Sequence, residues 1–66
     1  MTWKIRLEDE LKELKDRLGR LTQFCSTRAF DDLPVCDKGL LTAQYGIMKA
    51  YLDILITRCR LAGIQF

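Results

Sequence analysis

The chain has 66 residues and a net charge of +2, with 48% hydrophobic and 30% charged residues. That length allows one small domain, which buries only about 60% of the surface its unfolded chain exposes. The composition excludes a disordered chain, and 11 basic against 9 acidic residues lack the excess that phosphate-driven nucleic-acid binding requires.

The opening stretch, MTWKIRLEDE, is too charged for a signal peptide, and no apolar run reaches the ~20 residues of a membrane span. A cytosolic protein with reduced thiols is expected. The three cysteines, Cys25, Cys36 and Cys59, are odd in number and show no CxxC spacing. Neither a disulfide framework nor a zinc site is expected.

A first helix is predicted over about residues 3–26. Leu7, Leu11, Leu14, Leu18 and Leu21 recur at spacings of 4, 3, 4 and 3, and Cys25 extends the series. This is a heptad stripe. Glu8–Lys12, Glu13–Arg17 and Asp16–Arg20 each place an acid four residues before a base, the favourable helical order. Gly19 is the one weak helix former, costing about 1 kcal/mol against alanine.

A bend is predicted over 27–34. Asp31 and Asp32 favour turns, and a short helical turn is expected around Thr27–Asp32. Leu33 precedes proline and should be extended, while Pro34 suits the first turn of a new helix. Asp37 then falls near that helix's positive end. Phe30 and Leu33 are the apolar residues available to plug the bend.

A second helix is predicted over about 35–62, with Gly63 as its stop and Arg58 and Arg60 answering its negative end. At 100° per residue, Leu41, Tyr45, Met48, Tyr51, Leu52, Leu55, Cys59 and Ala62 share a face that matches the leucine stripe. Leu40, Ile47, Ile54 and Leu61 form a second row at seven-residue spacing on one flank. Beyond it runs a row of small residues, Gly39, Ala43, Gly46 and Ala50. Burying four large aliphatics is worth about 6–12 kcal/mol, comparable with the whole stability of a small domain. The first helix is too narrow to cover both rows. The expected fold is all-α: a two-helix antiparallel hairpin, one domain over 1–66, dimerising through Leu40, Ile47, Ile54, Leu61 and Gly46 into a four-helix bundle.

The ordered set Leu18, Leu21, Phe24, Ser26, Phe30, Leu33-Pro34, Leu40-Leu41, Gln44, Met48, Tyr51, Ile54-Leu55 and Arg58 resembles a family of small α-hairpin proteins of tailed phages and prophages, the crAss-phage-related small proteins. Cys36 and Gly39 depart from the pattern, in which acidic or helix-favouring residues are usual. The resemblance implies an accessory phage protein without enzymatic activity, acting in the host cytoplasm. It further implies stoichiometric binding and inhibition of a host or antiphage-defence protein. Other phage α-hairpins assemble and sequester cyclic-nucleotide signals, an alternative that rests on fold analogy.

The residues themselves offer no catalytic set: no histidine is present, so the cysteines lack a histidine partner. No enzyme activity and no cofactor are expected. Cys25 and Cys59 lie on core stripes as small hydrophobes, whereas Cys36 sits near a helix start that favours a thiolate. Asp31, Asp32 and Asp37 lack calcium-loop spacing and read as turn and capping residues. For a protein partner the candidate anchors are Trp3, Phe30, Leu33 and Val35, with the C-terminal "IQF". For a cyclic nucleotide the candidates are Trp3, Lys4, Arg6, Arg58 and Arg60, cations and an indole that a hairpin gathers at its open end. A purely structural assembly adaptor is the third reading.

Overall fold

The computed structural model describes residues 2–64, the Thr2 side chain excepted; Gln65 and Phe66 of "IQF" lie outside them. Three helices follow in order: α1 (Thr2–Cys25), α2 (Arg28–Asp31) and α3 (Val35–Leu61). The long helices α1 and α3 pack as an antiparallel hairpin, 45 Å by 15 Å by 15 Å. The expected all-α hairpin is therefore the fold observed, and α2 is the short turn predicted at the bend.

The bend is built from hydroxyl and backbone chemistry. Ser26 Oγ donates to the Gln23 carbonyl at 2.8 Å, and Thr27 Oγ1 donates to the Phe24 carbonyl at 2.6 Å. The same two carbonyls accept the Ser26 and Thr27 N–H groups at 3.2 and 3.0 Å, so each hydroxyl adds a second bond where the last turn of α1 tightens. The same Thr27 Oγ1 accepts from the Phe30 N–H at 3.4 Å and caps α2. One hydroxyl thus ends one helix and starts the next. Lys38 Nζ donates to the Asp31 carbonyl at 3.1 Å, tying the first turns of α3 to the end of α2. Pro34 occupies the cap position before α3 rather than its first turn. Its φ of −56° suits a helix, but its ψ of 150° is extended, so the helix begins at Val35.

The far end of α3 closes through Gly63 at a φ of 75°. The Gly63 N–H bonds the Arg60 carbonyl at 3.1 Å, and the Ile64 N–H bonds the Cys59 carbonyl at 2.9 Å. This is the Schellman arrangement, which needs a residue free to adopt positive φ. Ile64 then packs against the core.

The core is small and one-sided. Leu7, Leu11, Leu14 and Leu18 of α1 meet Leu52, Leu55 and Cys59 of α3, and all seven are buried. Toward the bend, Leu21, Cys25, Leu41, Tyr45 and Met48 are only partly buried. Tyr51, expected on the core face, is exposed, because its position on the helix lies between the core face and the Leu40 row. On the outer face of α1, Glu8–Lys12 (3.3 Å), Glu13–Arg17 (3.6 Å) and Asp16–Arg20 (2.8 Å) pair as their spacing predicts. Each is worth only about 0.3–0.5 kcal/mol, so packing and not charge holds the hairpin.

A Cβ added at Gly19 meets no atom within 4 Å. Gly19→Ala should therefore raise unfolding stability in urea by about 0.5–1 kcal/mol. Leu11→Ala, at a fully buried position, should lower it by about 2–5 kcal/mol.

Candidate functional site

The open end of the hairpin carries a cleft of about 250 Å³ lined by Trp3, Leu7, Arg58, Leu61 and Ala62. Trp3 lies one turn before Leu7, on the flank of the leucine stripe, so the indole follows the stripe to the end of α1. Arg58 lies one turn before Leu61 and Ala62 on α3. Trp3 is 52% exposed, and Lys4 Nζ sits 5.6 Å from its ring centroid. A cation at that distance contributes about 0.5–1 kcal/mol at an exposed site. Arg58 is the charged residue among those lining the cleft. An indole and a guanidinium on one cleft offer a stacking surface and a fork of N–H donors matched to phosphate or carboxylate. Of the five candidate nucleotide-binding residues, Trp3 and Arg58 share the cleft and Lys4 adjoins Trp3. Arg6 and Arg60 are exposed and do not line it.

The bend carries a second hollow of about 300 Å³, lined by Thr22, Cys25, Phe30, Thr42 and Tyr45. Phe30 meets Phe24 edge to face, with centroids 6.1 Å apart and rings at 88°. This contact docks α2 on α1, so Phe30 is first a structural residue. Leu33 is half-buried, whereas Val35 is 83% exposed. The candidate protein anchors are therefore not one surface. Trp3 lies at the open end, and Phe30, Leu33 and Val35 lie at the bend, roughly 30 Å away at 1.5 Å per helical residue. The bend hollow was not foreseen from the sequence. Thr22 and Thr42 spend their hydroxyl protons on the Leu18 and Lys38 carbonyls, 2.8 Å away in each case, and nothing in their spacing marks a shared cavity.

Cys59 is buried, Cys25 is half-buried and Cys36 is exposed. Among the described residues, no group of three or more acidic or cysteine side chains is placed to hold a metal ion. Nor is any helix among them long and apolar enough to cross a membrane.

The third feature is the outer row of α3. Leu40, Ile47, Ile54 and Leu61 are 69%, 72%, 56% and 84% exposed. Neither α1 nor the bend covers them. Completing the burial of each is worth about 1–2 kcal/mol, scaled from about 1.5–3 for a whole side chain. Two copies meeting along this row would gain roughly 8–16 kcal/mol, the size of the association cost, about 4–15 kcal/mol. Leu61 belongs both to this row and to the open-end cleft.

The model of one protein family, described as Sequestin, matches residues 1–61. The match does not name the phage hairpin family that the residue pattern resembles. No curated protein and no solved structure matches the chain.

Phe30→Ala should cost about 1–3 kcal/mol of stability, because it removes the contact that docks α2. Val35→Ala should change stability by less than about 0.5 kcal/mol. Thermal melts followed by circular dichroism compare the two. Equal effects would contradict the structural role given to Phe30.

Proposed function

The chain belongs to the Sequestin family, and on that premise we propose that it acts by stoichiometric sequestration, holding a ligand without turning it over. The family name denotes sequestration, and no nucleophile–base pair stands against it among the residues described above. The observation that carries the choice of ligand is the convergence of Trp3 and Arg58 on one cleft. A ligand that uses both needs a planar face and a negative charge. Nucleotides supply both: the base stacks on the indole, worth about 1–3 kcal/mol, and the phosphate takes the guanidinium fork. The proposed ligand is a cyclic-nucleotide immune signal, held by a phage-encoded protein in the host cytoplasm.

A second reading is inhibition of a host or antiphage-defence protein. The exposed α3 row and Val35 favour it. Its weakness is geometric: anchors divided between two ends cannot act as one hot spot. In the same proposal the chain works as a homo-oligomer, with dimerisation along Leu40, Ile47, Ile54 and Leu61.

Calorimetric titration of the purified protein with cyclic mono- and dinucleotides tests the first reading. Binding should saturate at a fixed ratio, and the ligand should be recovered unchanged after release. Trp3→Ala and Arg58→Ala should each weaken binding about tenfold or more with helicity retained. Conversion of the ligand would overturn sequestration. Silence toward every nucleotide, with a host protein recovered by pull-down, would select the second reading.

A further inference from the structure

The outer face of α3 holds more order than its four large residues show. Cys36, Ala43, Ala50 and Thr57 alternate with Leu40, Ile47, Ile54 and Leu61 at spacings of 4 and 3. All eight are exposed. Together they form a second heptad seam in which one position is large and the other small. A heptad seam is shaped for another helix, whose knobs enter its holes. Thr57 can be covered without leaving a donor unpaired, because its hydroxyl already bonds the Asp53 carbonyl at 2.9 Å.

One antiparallel register of this seam against itself places a large residue on a small one in every layer. Leu40 faces Thr57, Ile47 faces Ala50, Ile54 faces Ala43 and Leu61 faces Cys36. The two numbers of each pair add to 97, so the pairing is its own mirror under a two-fold axis, as an isologous dimer requires. The flanking positions agree. Asp37 falls beside Arg58 of the other copy, twice by symmetry, and Gln44 falls beside Tyr51. On the other flank Gly39 and Gly46 run along Arg60 and Asp53, so no like charges meet. Among the described residues neither Asp37 nor Arg58 makes an ion pair within its own chain. A Cβ at Gly39 or Gly46 meets nothing within the chain, which leaves that flank open to a close neighbour.

We propose that a second copy of the chain docks antiparallel along this seam and completes the open-end cleft. Leu61 and Arg58 line the cleft, and in this register they receive Cys36 and Asp37 of the other copy. The cleft of one chain, about 250 Å³, is below the about 300–1,000 Å³ usual for a ligand pocket. The second copy supplies the missing wall. Its Asp37 engages one edge of the Arg58 guanidinium, whose five N–H donors leave the other edge for a ligand phosphate. What fills the cleft rests on the sequestration reading above, whereas the docking of the second copy does not.

Disulfide trapping in the ligand-free full chain tests the register. Leu61→Cys under mild oxidation should give a covalent dimer on a non-reducing gel. Peptide mapping should find the bond between the native Cys36 and the substituted position of the other copy, since facing seam positions lie within the Cα separation a disulfide spans. Leu40→Cys, opposite Thr57, should give no bond to Cys36. A bond joining two substituted Leu61 positions, or no bond at all, would overturn the proposal. Charge reversal gives an independent reading. Asp37→Arg and Arg58→Asp should each weaken dimerisation about tenfold, and the double variant should return to within about threefold of the parent. Failure of the double variant to recover, with helicity intact, would also overturn it. A trapped Cys36-linked dimer in a protein that binds no nucleotide would refute the ligand and retain the interface.

Discussion

The structure depends on a mismatch between its two long helices. α1 presents one narrow stripe of leucines and surrounds it with ion pairs, so it can cover one face and no more. α3 carries apolar residues on two faces. The hairpin buries Leu52, Leu55 and Cys59 against the stripe and leaves the Leu40 row outside. With so small a core, a chain of this size sits near the limit at which a lone domain holds together. The surplus face is therefore both a liability as it stands and the means by which the fold can gain the burial it lacks.

The same topology explains where a ligand can be held. A hairpin brings the first turn of α1 to the last turns of α3. That geometry brings Trp3 and Arg58 to one cleft, although 55 positions separate them in the chain. The Schellman closure at Gly63 folds Ile64 back on the core and fixes the end of α3 beneath the cleft. Leu61 is shared by the cleft and the outer row, and in the proposed dimer it joins self-association to ligand binding. A cleft too small and open in one chain, beside a seam that repeats its own pattern in reverse, is the arrangement expected of a site built from two copies.

Much of the fold was legible because it is written in periodicity. The leucine spacing of α1 gave the stripe, and the acid–base spacing gave three ion pairs that the structure contains. The proline and the aspartates located the bend. The depth of burial was less legible. Leu41, Tyr45 and Met48 lie on the predicted face but are only partly buried, whereas the fully buried residues are confined to Leu7–Leu18 and Leu52–Cys59. Periodicity assigns direction around a helix, not separation between helices. The candidate site was legible in part. Hairpin topology alone brings Trp3 and Arg58 to one end, but Arg6 and Arg60, near them in sequence, are exposed and do not line the cleft. The bend hollow left no trace in the spacing, since its lining comes from three helices and its threonines serve the backbone.

The measurement that tests the central claim most directly is the mass of the ligand-free protein in sedimentation equilibrium at micromolar concentration. The expected mass is a multiple of the 7.7 kDa chain, with Ile47→Glu and Ile54→Glu together giving single chains or unfolding. A stable, fully helical species of 7.7 kDa would contradict it.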